Sequence, residues 1–472
     1  MGNKQYENFN AQGKLLDKRL EELGGLRIVD RGDGDDDGSM EKDWSHWKAK
    51  FWPAVVTHFG GSLDDVVEMA FEPSFRIVYS ADEKTEPLAS LLKRGHAGAG
   101  SQTKESEVVS ALVTVNRELR KIDHASGFIE STRHIEIDVG PSRISYQTAD
   151  NLGVLACNNP QRVALLAKKQ GYDLNKVFVM KALDPKCSCF FVSLLTFLAM
   201  KKPPITEAMT VRDALMWKVD ISSPPRRQLL GLLSGFAQDE NEKSTLRDWS
   251  KESSSEAITD DYIQLFKIEC HDFAYLFERF PSIQIPLENL LELLPKLQPR
   301  FYTIASSSLV HPQSVHITVS VIQSRTPGGR TFSGLCSNFL ATTVAGKSMI
   351  PVFIRESTFR LPKCLATPVV MIGPGTGIAP MRAFLQESAF LRSKGESLSA
   401  WWLYFGCRYK DVDYIYKEEM ETALENRILS KLRLAFSREQ KEKVYVQHKL
   451  TEDFEELYPL VNEHDAHIYV CG

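Results

Sequence analysis

The sequence predicts a multidomain α/β chain in which a β-region, split by a helical insertion, is followed by a parallel α/β unit. Strand patterns occur within residues 107–157 and return within residues 300–355. The intervening residues 160–297 are mostly helical in pattern, and strand and helix alternate from about residue 365 onward. Such alternation is typical of a parallel sheet.

The composition is that of an ordinary globular protein. Of 472 residues, 43% are hydrophobic and 25% are charged, and the net charge of −4 gives no reason to expect nucleic-acid binding. The most apolar run, Cys189–Met200, is shorter than the ~18 residues of a membrane span and is interpreted as a buried helix. Eight scattered cysteines without zinc-type spacing predict free thiols in a reducing, cytosolic compartment and no metal site.

The N-terminal residues predict one helix–strand–helix unit, as in the tail of an α/β domain. A helix over residues 7–23 is followed by a short strand at Leu26–Val29 and an acidic turn at Asp30–Asp37. A second helix is predicted by three aromatic residues at i, i+3 and i+7 and is closed by a proline: Trp44, Trp47, Phe51 and Pro53. Residues 60–62 mark a candidate hinge, and residues 94–106 are predicted to form a mobile loop.

A phosphate-binding loop is predicted in the parallel unit. A strand at Val369–Ile372 runs into Gly373, Gly375 and Gly377, and a helical pattern follows over Met381–Leu391. This arrangement aims backbone N–H groups and a helix N-terminus at an anion, and the glycines let the backbone approach a pyrophosphate that a Cβ would block. A glycine motif alone is weak evidence for a nucleotide site.

Cations and hydroxyls follow about 60 residues downstream of the glycines. Ser437, Arg438, Lys443 and Tyr445 supply two hydroxyls and two cations within a short segment. Sites that prefer NADP hold its 2′-phosphate with such groups, whereas sites that prefer NAD usually carry an acid. The pattern predicts an NADP-type site, with a solvated basic loop as the alternative.

A second candidate site lies on the strand that begins at Arg300. Arg300 and Tyr302 point to the same face of a strand, where a cation and an aromatic ring can hold a pyrophosphate and stack on a flavin. Thr303 points the other way, and its hydroxyl could reach a flavin ring nitrogen. Gly334–Ser337 adds a small-residue turn before a helix, which also suits an anion. The alternative is a half-buried barrel strand with a tyrosine in its core.

Taken together, these segments resemble the diflavin reductase family over essentially the whole chain. Each segment is moderately specific, whereas their order and spacing are highly specific. The matching segments are Gly2–Asn10, Gly34–Gly38, Arg300–Ser308, Val310–Pro312, Gly373–Pro380, Phe405–Arg408, Phe436–Gln440 and His467–Gly472.

The resemblance implies a flavodoxin-like FMN domain, a ferredoxin-reductase-type FAD β-barrel with a helical connecting insert, and a Rossmann-like NADPH domain. The implied boundaries are the C-terminal part of the FMN domain at 1–59, a hinge at 60–75, the barrel at 76–157 and 298–364, the insert at 158–297 and a truncated NADPH domain at 365–472. Electrons are expected to pass from NADPH through FAD and FMN to a haem protein such as a cytochrome P450. An N-terminal anchor outside this chain, at the cytosolic face of the endoplasmic reticulum membrane, is implied by the resemblance alone.

The resemblance also assigns cofactor-binding residues by motif position. FMN is expected at Gly2, Asn3, Tyr6, Phe9, Asn10 and Asp36, with Tyr6 stacked on its ring. FAD is expected at Arg300, Phe301, Tyr302, Thr303, Thr318, Val319, Ser320, Gly334, Leu335, Cys336 and Ser337. NADPH is expected at Arg133, Gly373, Gly375, Thr376, Gly377, Ser437, Arg438, Lys443, Tyr445 and Gln447. Thr303 and Cys471 are expected to shape the geometry of hydride transfer.

The chain departs from the family pattern in three places. Most of the FMN domain would precede Met1, the family continues beyond Gly472, and Thr303 stands where the family usually has serine. A weakened FMN site and impaired NADPH selectivity and turnover are therefore expected. The acidic turn at Asp33–Asp37 could steer a basic redox partner or be a solvated loop. A sulfite reductase flavoprotein, a methionine synthase reductase and a fragment without catalysis remain alternatives.

Overall fold

The computed structural model describes residues 4, 9–35, 40–60, 71, 73–79, 106–121, 130–140, 144–183, 203, 205–251 and 261–472. The chain divides into two compact units. The smaller unit comprises 1–73, 226–261 and 282–284, and the larger unit comprises 74–225, 262–281 and 285–472.

The helices and strands of the described residues have the following bounds. The helices are α1 Ala11–Glu22, α2 Met40–His58, α3 Pro160–Gln170, α4 Val211–Trp217, α5 Arg227–Ser234, α6 Glu240–Ser250, α7 Phe273–Arg279, α8 Leu287–Leu293, α9 Leu335–Ala341, α10 Ile378–Ser393, α11 Lys417–Glu425, α12 Val446–Glu452 and α13 Phe454–Asn462. The strands are β1 Phe75–Tyr79, β2 Val109–Glu118, β3 Ser131–Asp138, β4 Asn151–Val154, β5 Val177–Ala182, β6 Met209–Thr210, β7 Arg300–Thr303, β8 Ser314–Val321, β9 Gln323–Arg325, β10 Thr331–Ser333, β11 Met349–Arg355, β12 Val369–Ile372, β13 Trp401–Cys407, β14 Lys431–Phe436 and β15 His467–Val470.

A six-stranded antiparallel sheet in the order β7-β4-β11-β2-β3-β8 forms the first part of the larger unit. Val113, Ile135 and Ile317 lie fully buried on its inner face. A bridge pairs Ile304, directly after β7, with Ile317 of β8 and so joins the two edge strands. The sheet therefore closes into a barrel, which pairs the backbone groups that open edges would expose.

Helices of the insertion lie between β4 and β7 in the chain. The side chain of Asn159 caps α3 by accepting hydrogen bonds from the backbone N–H groups of Gln161 and Arg162. Arg162 also forms a two-bond ion pair with Asp272, the residue that caps α7. The prediction that residues 160–297 are mostly helical is confirmed for the described part, which also contains the short strands β5 and β6.

The C-terminal part of the larger unit is a four-stranded parallel sheet in the order β14-β13-β12-β15. Its core contains Met371, Trp401 and Phe405, and Phe384 of α10 packs against the same cluster. The strand predicted at Val369–Ile372 is confirmed end to end, and α10 contains the predicted helical segment. The alternation of strand and helix thus produced the expected parallel sheet.

The smaller unit contains both predicted helices, but the second one does not end where it was predicted to end. The aromatic rings of Trp44, Trp47 and Phe51 stack along α2 with centroids 5.3 and 4.6 Å apart. Pro53 lies inside α2, so the prediction that it closes the helix was wrong. A proline removes one hydrogen bond and kinks a helix but need not end it when both flanking segments are helical.

The predicted strand at Leu26–Val29 was also wrong. The segment is irregular, Leu26 is 88% exposed, and no strand pairs with it among the described residues. Arg27 instead forms an ion pair with Asp17 of α1 at 2.9 Å. A short segment with three apolar residues forms a strand only where a partner strand satisfies its backbone groups.

Several predicted features lie wholly or mostly outside the described residues, namely the hinge at 60–75, the loop at 94–106 and the helix at Cys189–Met200. Within the described ranges, every helix is too short or too polar to cross a lipid bilayer.

The close packing of the barrel around Gly153 of β4 can be tested by mutation. A Cβ at this position would lie 2.4–2.9 Å from ring atoms of Phe353 on the neighbouring strand. We expect Gly153→Ala to lower the free energy of unfolding by roughly 1–3 kcal/mol through overpacking. Thermal unfolding would measure the effect, with Gly13→Ala in α1 as the control because a Cβ there meets nothing within 4 Å. An unchanged melting temperature for Gly153→Ala would contradict this packing.

Candidate active site

The glycine loop connects β12 to α10 through a single turn at Gly375–Gly377. Gly375 has φ +57°, a conformation that favours glycine. A Cβ on Gly377 would lie 1.9 Å from the carbonyl oxygen of Cys471, so only glycine fits against the end of β15. The loop therefore leads directly into the N-terminus of a 16-residue helix, as the sequence predicted.

A cavity of about 440 Å³ opens beside this loop. One wall comes from the parallel sheet and its loops, and the other comes from the barrel. Its lining residues are Arg120, Thr132, Ser320, Pro374, Gly375, Thr376, Gly406, Cys407, Arg408, Asp413, Ile415, Ala435, Ser437, Val444, Tyr445, Val446 and Gln447.

The cavity gathers about half of the residues predicted to bind NADPH. Gly375, Thr376, Ser437, Tyr445 and Gln447 line it, whereas the predicted residues Arg133, Gly373, Gly377, Arg438 and Lys443 are not among its lining residues. Ser320, which was predicted to bind FAD, lies at this cavity as well.

The predicted NADPH residue Arg133 lies beside Glu118, and its contact with NADPH stays a prediction. Its guanidinium Nε lies 3.6 Å from a carboxylate oxygen of Glu118 and has no hydrogen-bond partner.

Two arginines that the sequence reasoning did not assign, Arg120 and Arg408, line the cavity. Both guanidinium groups bind the carboxylate of Glu130, Arg120 at 2.5 Å. Partial burial opposes ionisation of Glu130, but the hydrogen bonds from Arg408 and Arg120 hold its pKa below the ordinary value. Arg408 ends the family-matching segment Phe405–Arg408, so that motif contained a signal for it, whereas Arg120 follows β2 without any motif.

The donor set of this cavity fits a dinucleotide phosphate. Two cations share one carboxylate, and a glycine loop at the start of a long helix lies beside them. Guanidinium groups bind phosphate oxygens in pairs, and helix N-termini stabilise anions. Ser437 and Tyr445 add hydroxyl groups at the same cavity.

The strand predicted to bind FAD is β7, and two of its predicted partners come together in the barrel. Burial, followed by the neighbouring Cys336 thiol, raises the pKa of Tyr302. Burial likewise raises the pKa of Cys336 to about 11, while the Tyr302 hydroxyl and the Arg300 guanidinium counteract it. Arg300 is exposed, and its guanidinium donates to the carbonyl oxygen of Gln298 at 3.0 Å. A solvent-facing cation beside a half-buried aromatic ring fits a flavin with its phosphates.

The other predicted residues near β7 have mainly packing contacts. Phe301 lies on the opposite face, where the Arg355 guanidinium is 3.4 Å from its ring centroid. The hydroxyl of Thr303 lies 3.5 Å from the side-chain oxygen of Asn151 on β4.

The turn at Gly334 and the strand β8 hold the remaining predicted FAD residues. Ser337 of α9 accepts a hydrogen bond from the N–H of Ile322, while Leu335 packs against the barrel core. Val319 is fully buried in that core. Thr318 is buried, and its hydroxyl is 2.9 Å from the hydroxyl of Tyr416. Of the three predicted residues of β8, Ser320 lines the cavity described above, and the FAD contacts of all three stay predictions.

A buried guanidinium joins the parallel sheet to the barrel. Arg382 of α10 binds the carboxylate of Glu419 with two hydrogen bonds of 2.7 and 3.0 Å. It also donates to the carbonyl oxygen of Ala305, two residues after the end of β7, at 2.7 Å. Its charge lies 4.8 Å from the ring centroid of Tyr416, which bonds to His134 and Thr318 of the barrel. These bonds hold α10, which follows the glycine loop, against the chain that leaves β7.

Cys471 lies at the end of β15, against the glycine loop. Its N–H donates to the carbonyl oxygen of Ile372 at 3.0 Å. Burial raises the pKa of its thiol, which is therefore neutral near pH 7.

The residues predicted to contact FMN are only partly described. Gly2, Asn3, Tyr6 and Asp36 lie outside the described residues. Phe9 lies 5.2 Å from the ammonium group of Lys14, and Asn10 adopts φ +52° and reaches Asp33 at 3.4 Å.

Described acids of the turn after α1 carry local counter-charges. The hydrogen bond from Arg31 lowers the pKa of Asp33, although partial burial opposes it, and Lys4 lies 3.5 Å from Asp35. These pairs reduce the negative field that the turn offers to a partner.

Three family models match the chain. They describe a flavodoxin at residues 1–47, an FAD binding domain at 101–339 and an oxidoreductase NAD-binding domain at 371–472. The fold class expected from the resemblance is thus confirmed, as are the flavodoxin, FAD and nucleotide-binding parts.

Curated relatives match over the whole chain. The chain is 39% identical to the NADPH–cytochrome P450 reductase of Homo sapiens over 484 residues, which cover 100% of the chain and 68% of that protein. Identity to the reductases of Bos taurus and Sus scrofa is 38%, also over 100% of the chain and 68% of each relative. With this identity and coverage, and with its three matching domains in order, the chain belongs to the NADPH–cytochrome P450 reductase family.

Proposed function

We propose that this chain transfers electrons from NADPH, by way of FAD and FMN, to a cytochrome P450 or a similar haem acceptor. The observation that supports the proposal is a single cavity at the junction of sheet and barrel, which is lined by the glycine loop, two arginines and several hydroxyl-bearing residues, Ser437 and Tyr445 among them. The acceptor class is taken from the names of the relatives.

Different residues of the cavity bind different parts of NADPH. Gly375 and Thr376 present backbone N–H groups to phosphate at the start of α10. Arg120 and Arg408 neutralise the pyrophosphate charge. Ser437 and Tyr445, with the cations Arg438 and Lys443 in the same segment, hold the 2′-phosphate that distinguishes NADPH from NADH. In this assignment Arg120 and Arg408 take the place predicted for Arg133.

The residues of β7, the proposed flavin strand, and of α9 hold FAD. Arg300 meets the flavin phosphates from the solvent side, Tyr302 stacks on the ring and Thr303 places a hydroxyl at its edge. The bound FAD and NADPH supply the hydride and electron chemistry themselves. Cys471, as a neutral thiol, shapes the approach of the nicotinamide and does not act as a base.

The domain boundaries expected from the sequence, 1–59, 60–75, 76–157 with 298–364, 158–297 and 365–472, form part of this proposal. So do an FMN site at the N-terminal segment and a location at the endoplasmic reticulum membrane. The match of residues 1–47 to a flavodoxin supports the FMN assignment.

The proposed activity can be tested with ferricyanide, which accepts electrons from reduced FAD without a haem partner. We expect the purified, FAD-loaded chain to reduce ferricyanide with NADPH, and cytochrome P450 as acceptor then tests the FMN route. No NADPH-dependent ferricyanide reduction by flavin-loaded protein would contradict the proposal.

The phosphate role of the two arginines predicts a specific kinetic change. Arg408→Met and Arg120→Met should each raise the KM for NADPH about 10- to 100-fold, because each removes a charge-assisted hydrogen bond, and should leave kcat nearly unchanged. Arg392→Met is the control, since this arginine in the last turn of α10 donates to the carbonyls of Asn426 and Arg427. A KM unaltered in both cavity variants would rule out this role.

The guanidinium of Arg382 predicts a defect in coupling. Arg382→Lys loses the two-bond pair with Glu419, so we expect kcat for ferricyanide reduction to fall about tenfold or more while FAD content stays near that of the parent. The FAD content of the variant separates misalignment from misfolding. An unchanged kcat in the FAD-loaded variant would show that the junction tolerates a looser contact.

A further inference from the structure

A cluster of two imidazoles and a carboxylate lies on the barrel, and its three residues are assigned to no cofactor. His134 and Glu136 belong to β3, and His316 belongs to β8. In the ladder between these strands Glu136 is directly opposite His316, and His134 lies two residues further along β3. All three side chains therefore project from the same face of the sheet.

The potential ligand atoms are spaced as around one metal ion. Nε2 of His134 is 3.0 Å from one carboxylate oxygen of Glu136, and Nε2 of His316 is 3.6 Å from the other. All three ligand atoms lie within 4.8 Å of one another. Ligands at about 2.0–2.1 Å in a tetrahedral zinc site are separated by about 3.3 Å, so the two shorter distances bracket the required value.

One ligand atom lacks any partner. The side chain of His316 is only 4% exposed, and its Nε2 has no hydrogen-bond partner. The 3.6 Å distance to Glu136 is too long for a hydrogen bond. A buried, unsatisfied nitrogen is costly unless something binds it, and here it faces a carboxylate and a second imidazole.

A second set of contacts orients His134. Its Nδ1 lies 2.9 Å from the hydroxyl of Tyr416, which is also 2.9 Å from the hydroxyl of Thr318. Nε2 lies within hydrogen-bond distance of the Glu136 carboxylate, at 3.0 Å, and a metal ion between them would replace that hydrogen bond. With Nδ1–H donating to Tyr416, Nε2 then carries the lone pair that binds the ion. Metal-binding histidines are generally held in this way by a hydrogen bond at the other ring nitrogen.

The nearest cation is already paired. Arg382 lies 3.4 Å from Nδ1 of His316, but it forms its two-bond ion pair with Glu419. Ligation through Nε2 requires a proton on Nδ1, so the weak contact with Arg382 would be lost while its bonds to Glu419 and Ala305 remain. The side chain of Glu136 is 29% exposed and provides a path from solvent.

We propose that His134, Glu136 and His316 form a Zn²⁺ site, with both histidines ligating through Nε2 and solvent completing the coordination. Two imidazoles and one carboxylate with an open position are an established ligand set for zinc. The ion would occupy the barrel face next to Tyr416 and would add a direct link between β3 and β8. The inference is independent of the electron-transfer proposal, because it concerns residues that are assigned no cofactor.

The test is zinc binding by the untagged, FAD-loaded chain after treatment with a chelator. A chromophoric zinc indicator in competition gives affinity and stoichiometry, and X-ray absorption at the zinc edge gives the ligands. We expect one tight site whose ligands are only nitrogen and oxygen at about 2.0–2.2 Å. A zinc–sulfur distance of about 2.3 Å would instead assign the ion to cysteines and overturn the proposal.

Three variants make the test specific. Glu136→Gln and His316→Asn should each lower the affinity of the tight site at least ~100-fold, and Tyr416→Phe should lower it about tenfold because it acts through His134. Asp138→Asn, two residues from Glu136 on β3, is the control; its carboxylate accepts from the N–H of Gly140, and the affinity should not change. Unaltered zinc binding by Glu136→Gln would also overturn the proposal.

Zinc should also raise the melting temperature of the parent and of Asp138→Asn, since a ligand that binds only the folded state stabilises it. The same rise in Glu136→Gln would contradict binding at this site. The comparison is made within each variant, with and without zinc. It therefore remains valid for a variant whose melting temperature without zinc is lower than that of the parent.

Discussion

The buried guanidinium of Arg382 is the interaction on which the rest of the larger unit depends. It reaches from the glycine-loop helix α10 to the carbonyl oxygen of Ala305 at the end of the flavin strand and is held in place by Glu419. The guanidinium is 9% exposed whereas the Glu419 side chain is 39% exposed, so the loss of a partner leaves the charge of Arg382 buried without full compensation. The geometry between sheet and barrel is therefore specified by a few directional bonds in addition to apolar packing.

The nucleotide cavity follows from that junction. Neither the parallel sheet nor the barrel alone encloses it, because Thr132 and Ser320 come from the barrel and Thr376 and Ser437 come from the sheet. The salt bridge from Arg408, after β13 of the parallel sheet, to Glu130 spans the same boundary, whereas Arg120 and Glu130 both come from the barrel. Position matters more than acid–base strength in such a site, since burial keeps Cys471 neutral and the cofactors carry the redox chemistry.

The sequence predicted those features that local chemistry determines. The strand Val369–Ile372, the glycine turn and α10 follow from apolar periodicity and from glycines at strained or crowded positions, and they were predicted with nearly correct bounds. The prediction of a strand at Leu26–Val29 was wrong because strand pairing depends on residues far away in the chain. The prediction that Pro53 ends the helix was wrong because one missing hydrogen bond does not terminate a helix.

Residues brought together by topology escaped sequence reasoning. Arg120 follows an ordinary strand, and only the pairing with Glu130 brings it to Arg408. The cluster of His134, Glu136 and His316 joins two strands that are separated in the chain by the whole insertion. The local spacing of residues therefore did not predict it. Local motifs predicted the glycine loop as a phosphate-binding loop. The charged residues around it come together only in the closed barrel and so could not be predicted from local sequence.

The most direct test of the central claim is anaerobic addition of NADPH to the purified chain after its released flavin has been quantified. The claim is that the cavity and the flavin strand form one working unit, so FAD near one per chain should lose its visible absorption on addition of NADPH, and NADH should act far more weakly. Bound FAD that is not reduced by NADPH would contradict the proposed alignment of the two sites, and a chain that binds no flavin would contradict the assignment of the barrel.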